Sequence, residues 1–205
     1  TLDPLSYWEN NTSGSINLFQ AMRKYDCRTI VFSGSATVYK SNENLIKEDQ
    51  TLKPVNPYGN TKLSIETILN DLYLSESSKW RIVLLRYFNP IGAHPSGIIG
   101  EDPQSKVNNI FPKITNVALG LTNEINIFGS DWPTKDGTGI RDYIHIMDLV
   151  EGHLSALDYI VQNEPEILAL NLGTGIGTSV LELINTFEKV NNVNIPYKFD
   201  SRRAG

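Results

Sequence analysis

The sequence predicts an α/β protein organised on a parallel, doubly wound sheet, and three observations lead there. Mainly apolar runs at Thr29-Ile30-Val31-Phe32, at 81–88 and at 167–172 have the length and composition of buried parallel strands. Segments with helical apolar spacing separate them, as βαβ units require. The first run exits into Ser33-Gly34-Ser35, and ligands of open α/β sheets sit outside the carboxyl ends of strands.

In chain order, residues 10–25 read as a helix and 29–32 as a strand. A polar loop over 40–57 closes on Pro54 and Pro57. The helix that follows places Ile65, Ile68, Leu69 and Leu72 at i, i+3, i+4 and i+7, one apolar face entered just after a proline. The strand 81–88 stops at Asn89-Pro90, and Gly92, Pro95, Gly97, Gly100 and Pro103 mark 89–108 as loop. A helix over 109–120, a strand over 124–128 and a second loop over 129–140 come next. Val150, Leu154, Leu157 and Val161 predict the apolar face of another helix. After the strand at 167–172, Ser179 and Glu182 form a capping-box opening for a helix carrying Val180, Leu183, Ile184 and Phe187. The loop-rich middle predicts a smaller, substrate-covering region beside the sheet.

Composition narrows the function classes. Forty per cent hydrophobic and twenty per cent charged residues in a chain of 205 support an ordinary core. A net charge of −5 speaks against nucleic acid as partner. The lone Cys27 rules out a disulfide scaffold and points to a reducing, cytoplasmic compartment. No apolar run approaches the roughly eighteen residues of a bilayer span, so no membrane partner is expected. His94, His145 and His153 form no metal-ligand pattern, and no metal is expected. The chain opens at Thr1 without methionine and stops at Arg202-Arg203-Ala204-Gly205 without a closing element, so both ends read as cuts through a longer protein.

Tyr58 and Lys62 are the first constellation with chemical meaning. Four residues apart at the start of a helix, they share a face. A phenol with a reference pKa of about 10 is a poor base at neutral pH. A nearby ammonium, and a cationic ring beside it, would favour the phenolate and make a general base for a hydroxyl proton. A hydroxyl at Ser35 or Thr37 could bridge a substrate oxygen and Tyr58. Gly173-Thr174-Gly175-Ile176-Gly177 imitates a dinucleotide loop, but the third glycine of G-x-G-x-x-G would fall at Thr178. It reads as a strand-to-helix turn.

Five stretches in order carry a family resemblance. They are Ser33-Gly34-Ser35-Ala36-Thr37-Val38-Tyr39, Pro57-Tyr58-Gly59-Asn60-Thr61-Lys62, residues 85–94, residues 100–103 and residues 136–145. Together they resemble the extended short-chain dehydrogenase/reductase family, the last three its UDP-glucose 4-epimerase branch in particular. The resemblance implies a Rossmann-like sheet, NAD as cofactor and a UDP-sugar as substrate. It implies residues 1–88 as the C-terminal part of an NAD-binding domain. Residues 89–205 become mainly a UDP-sugar region, with some segments returning to the first domain. By the same resemblance Tyr58 matches the base, Lys62 the lysine on the nicotinamide ribose, and Ser35 the hydroxyl on the sugar. Asn10 falls at an NAD contact, and Phe88 beside the nicotinamide. Asn89, Asn109, Phe128, Arg141 and Arg203 fall where the family holds UDP; a guanidinium fork suits pyrophosphate oxygens. A homodimer is implied for the intact protein.

The resemblance also places a glycine-rich phosphate loop upstream of Thr1 and the rest of the sugar pocket beyond Gly205, so the 205 residues alone are expected to be inactive. Lys40 stands where the family often has glycine. A nucleotide-sugar 4,6-dehydratase is the nearest rival, but its acid pair would fall at Ser35-Ala36-Thr37, where no carboxylate stands.

Overall fold

The computed structural model describes residues 3–40, 44–103 and 109–202. In chain order the elements are α1 (Pro4–Tyr7), a π-helical segment (Trp8–Ser13), α2 (Gly14–Lys24), β1 (Thr29–Ser33), a 3-10 turn (Ala36–Val38), α3 (Pro57–Ser75), β2 (Arg81–Tyr87), β3 (Asn89–Ile91) and α4 (Ile110–Ala118). Then come β4 (Ile125–Phe128), β5 (Ile140–His145), α5 (Ile146–Gln162), β6 (Ile167–Leu172), β7 (Gly177–Ser179), α6 (Val180–Asn191) and β8 (Tyr197–Asp200). They divide into two compact units, residues 1–88 with 148–172, and residues 89–147 with 173–205.

The first unit is a Rossmann-like α/β sandwich. Its sheet has the order β1-β2-β6 with every pair parallel. Successive side chains of a strand point to opposite faces, and both faces are apolar here. Ile82 and Leu84, with Ile30, Phe32, Ile167 and Ala169, pack against Phe19 of α2 and Ile65 and Leu69 of α3. Val83 and Leu85, with Val31, Leu170 and Leu172, pack on the other side against Ala156 and Ile160 of α5. An apolar run without alternation is what a strand covered twice demands.

The stripe expected to bury α5 is the wrong one. Val150, Leu154, Leu157 and Val161 are 41–58% exposed, and Leu149, Ala156 and Ile160 are buried instead, the last two against the sheet. The helix is apolar on both sides, so the 3.6-residue period fixes its existence and leaves its orientation open. The helix expected over 10–25 starts earlier and contains six residues of π-helix, which shifts the register of everything before Gly14.

The second unit holds two small sheets, β3-β5-β7 and β4-β8. Its core gathers Ile114 and Val117 of α4, Ile125 and Ile127 of β4, Leu183 and Ile184 of α6, and Ile195. Strands β3, β5, β7 and β8 were not expected; three to six residues long and largely exposed, they carry no apolar run. The Ser179–Glu182 capping box forms with both of its bonds. The loops read over 40–57 and 89–108 include residues outside those described. Among the described residues no helix is long and apolar enough to cross a membrane.

Candidate active site

Three local structures bring the first unit's candidate side chains together at the carboxyl end of β1. Ser35, two residues past the end of the strand, caps the 3-10 turn with φ −160° and ψ 142°. Its Oγ accepts the backbone N–H of Thr37 at 3.2 Å and the Thr37 hydroxyl at 2.9 Å. A hydroxyl has one proton and two lone-pair sites. With its acceptor sites engaged by Thr37, Ser35 is left with its proton to give, and its hydroxyl lowers the proton affinity of the neighbouring Tyr58 phenol.

Helix α3 delivers Tyr58. Asn56 caps it, its Oδ1 accepting from the Gly59 N–H at 2.8 Å, and Pro57 supplies the fixed φ of a first helical residue. Gly59 is required by close approach: a Cβ there would lie 2.7 Å from the Thr37 carbonyl oxygen and 2.8 Å from Pro54. That contact sets the first turn of α3 against the Ser35 turn. Lys62, one turn on, donates to the Ser33 carbonyl at 2.9 Å, with its ammonium 5.6 Å from the Tyr58 ring.

Burial governs the protonation of this group. It pushes the Tyr58 phenol up; the neighbouring Tyr87 and Tyr7 add to the rise, and the Ser35 hydrogen bond opposes it. Burial pushes the Lys62 ammonium down. The downward pull on Tyr58 expected from Lys62 is not among these influences. Lys62 instead spends one N–H on the strand end, and Ser35 is the group that favours the phenolate.

The arrangement fits a nicotinamide ribose. Among the described residues the Lys62 ammonium has one acceptor, the Ser33 carbonyl, so two of its three donors stay available beside a half-buried phenol. Phe88 follows β2, half-buried, with its N–H on the Leu172 carbonyl at 3.0 Å. Asn10 lies in the π-helical segment, exposed, its amide donating to the Ser6 carbonyl at 2.8 Å. That segment is tied to α3 by Asn11, which donates to the Thr61 hydroxyl at 3.0 Å. Lys40 has no positive φ, so a side chain is accommodated where glycine is common; its N–H bonds the Thr51 carbonyl at 3.0 Å.

Two partners of this group escape the sequence reading. His153 of α5 holds its Nδ1 against the Leu149 carbonyl at 2.9 Å, so in the neutral ring the proton sits there and Nε2 accepts from the Ser33 hydroxyl at 3.1 Å. Arg86 and Glu66 form an ion pair at 2.7 Å with 5% and 4% exposure. An arginine inside the apolar run 81–88 was the available signal, because a buried charge has to be paired.

The second unit presents its candidate residues differently. Asn89 is exposed at the start of β3. Asn109 precedes α4 and donates from its amide to Glu101 at 2.8 Å. Phe128 ends β4, with the Lys113 ammonium 5.6 Å from its ring. Arg141 is exposed on β5, its guanidinium donating to the Ile140 carbonyl at 2.7 Å. Arg203 lies outside the described residues. Its neighbour Arg202 bonds Asp131 at 2.7 Å and stacks over Trp132 at 4.1 Å. Arg202 and Asp131 line an open cleft of about 500 Å³ together with Gly129, Ser130, Phe199 and Asp200 among others. The glycine-rich turn after β6 is no phosphate cradle: the Asp142 carboxylate takes the N–H groups of Thr174 and Gly175 at 2.9 and 2.8 Å. Among the described residues no cluster of three or more His, Cys, Asp or Glu is placed to hold a metal.

Known proteins are similar to this chain throughout. The profile of the NAD dependent epimerase/dehydratase family matches residues 1–173. A UDP-glucose 4-epimerase of Bacillus subtilis is 52% identical over 203 residues, covering 98% of this chain and 59% of that protein. A bifunctional UDP-glucose and UDP-xylose 4-epimerase of Arabidopsis thaliana is 51% identical, with 99% and 58% covered. The crystal structure of a UDP-glucose 4-epimerase from Bifidobacterium longum with NAD+ and UDP superposes with a TM-score of 0.93 at 45% identity, covering 98% of this chain and 60% of that one. The chain thus spans a little under three fifths of the length of the curated relatives it matches. A profile match over most of its length, carried by sequences half identical to it, makes the chain a member of the NAD dependent epimerase/dehydratase family.

Proposed function

We propose that the full-length protein is an NAD-dependent UDP-glucose 4-epimerase that interconverts UDP-glucose and UDP-galactose. The carrying observation is the Ser35–Tyr58–Lys62 group at the carboxyl end of β1, where the Ser35 hydroxyl favours the Tyr58 phenolate and the Lys62 ammonium stands one helical turn away. Tyr58 as phenolate takes the proton from the sugar 4-hydroxyl, and Ser35 shares that oxygen and steadies its charge. Bound NAD supplies the acceptor and donor of hydride for C4. Once the 4-keto sugar has turned its other face, Tyr58 returns the proton to the same oxygen, and no net redox change remains. Lys62 holds the ribose, with Asn10 and Phe88 as further cofactor contacts. Asn89, Asn109, Phe128, Arg141 and Arg203 hold the UDP. In this reading residues 1–88 carry the cofactor and 89–205 serve mainly the nucleotide-sugar, in a cytoplasmic homodimer. Support comes from the Bacillus subtilis and Arabidopsis thaliana relatives, both named UDP-glucose 4-epimerases, and from a neighbour crystallised with NAD+ and UDP.

The test is to incubate the full-length protein with UDP-galactose and no added oxidant or reductant. Formation of UDP-glucose is expected. A 4-keto-6-deoxy product would transfer the assignment to a dehydratase.

A further inference from the structure

We propose that Glu66, Arg86 and Tyr39 are positioning residues that hold the base, its lysine and its serine in one frame; the inference rests on the reading of Tyr58 as base. Glu66 follows Lys62 by four residues and Tyr58 by eight, so the three side chains climb one face of α3. The Arg86 guanidinium grips that ladder's top rung. Its Nε donates to both carboxylate oxygens of Glu66 at 3.1 Å and its Nη2 to Oε2 at 2.7 Å. From its other side, Nη1 donates to the Tyr39 hydroxyl at 2.9 Å and the Glu48 carbonyl at 3.1 Å. Tyr39, four residues past Ser35, passes its own proton to Asn171 of β6 at 2.7 Å. One guanidinium on β2 therefore indexes α3, the Ser35 turn and β6.

The carboxylate also lies directly beneath the loop that carries the chemistry. A Cβ on Gly34, between the Lys62 acceptor Ser33 and Ser35, would sit 2.7 Å from the Leu85 carbonyl oxygen and 3.4 Å from Glu66 Oε1.

Stability is a poor reason for such a pair, since well-packed apolar residues replace buried ion pairs without loss in many proteins. Ile65 and Leu69 already hold α3 to the sheet, but apolar contact is non-directional and tolerates sliding along the helix axis. A planar fork with two-point contact does not. The pair supplies the direction that the core lacks.

The experiment compares the full-length protein with its Glu66→Leu/Arg86→Met double variant and with Glu66→Gln, reading thermal midpoint, kcat and KM for UDP-galactose. A merely structural pair predicts that the double variant recovers stability and turnover together. A positioning pair predicts recovered stability with kcat lowered about tenfold to a hundredfold and KM within about threefold. A folded double variant with wild-type kcat overturns the proposal. Should the double variant not fold, Glu66→Gln decides: it keeps the shape and loses the charge, and wild-type kcat in that folded protein overturns the proposal equally. A Tyr58→Phe control separates the two levels. If it is inactive while the double variant is fully active, this inference alone fails. If it turns over normally, the base assignment fails and takes this inference with it.

Discussion

The two units present functional side chains in opposite ways. In the first, Ser35, Tyr58 and Lys62 are buried or half-buried, and desolvation dominates the proton affinity of the tyrosine and the lysine. In the second, Asn89, Asn109 and Arg141 are exposed, and the side chains of Asn109 and Arg141 bond groups close by in sequence. Proton transfer needs a fixed distance and a tuned pKa, and burial supplies both. Gripping a charged diphosphate needs reach and unspent donors, which exposure preserves. On the proposed reading, the fold prepares the base in advance, whereas the second unit's exposed groups wait for a ligand to complete their contacts.

Removing the base should give the largest effect. Tyr58→Phe in the full-length protein is expected to lower kcat by about a hundredfold to ten-thousandfold, the range of a general base. Unchanged nucleotide affinity by calorimetry would accompany the loss. A small loss would place the base elsewhere and erase the contrast.

Arg141→Ala should act on the other side of the comparison. A charge-assisted hydrogen bond is worth about 1.5–3 kcal/mol, so KM for UDP-galactose should rise about tenfold to a hundredfold with kcat nearly constant. A fall in kcat at constant KM would make Arg141 part of the chemistry.

Ser35→Ala sharpens the electrostatic half. If the Tyr58 phenolate is the base, as proposed, kcat/KM rises with pH up to the folded pKa of Tyr58. Burial raises that pKa and the Ser35 hydrogen bond lowers it. Loss of the hydroxyl should move the rising limb to higher pH and cut neutral-pH turnover about tenfold. The same raised pKa favours the folded state below the free phenol's value of about 10, and that contribution is lost as pH rises through the folded value.

The smallest effects compare two helix caps. Asn56→Ala and Ser179→Ala each remove one capping acceptor and should cost about 1 kcal/mol of stability by denaturant titration. Only the first loosens the turn that carries Tyr58, so only it should lower kcat as well.

Legibility in the sequence follows the same division. Strands β1, β2 and β6 announce themselves because a strand covered on both faces is apolar at nearly every position. The second unit's short strands leave no such trace, and their pairing is set by partners distant in sequence, as in Asp200 opposite Phe128. Tyr58 and Lys62 could be read because i,i+4 spacing survives in the sequence. Their frame could not, since Arg86, Glu66, Tyr39 and Asn171 meet only after four elements pack. The π-helical segment around Asn10 adds no residue type of its own and changes only the register. For α5 the period was right and the face wrong, because two apolar stripes compete on one helix.

The most direct measurement uses UDP-galactose carrying deuterium at C4, incubated in ordinary water with the full-length protein. If Tyr58 handles only the hydroxyl proton and the C4 hydrogen leaves and returns as hydride within the site, the UDP-glucose formed keeps its deuterium at C4. Deuterium washed out into water would mean that C4 loses a proton to a base instead, and would contradict the account.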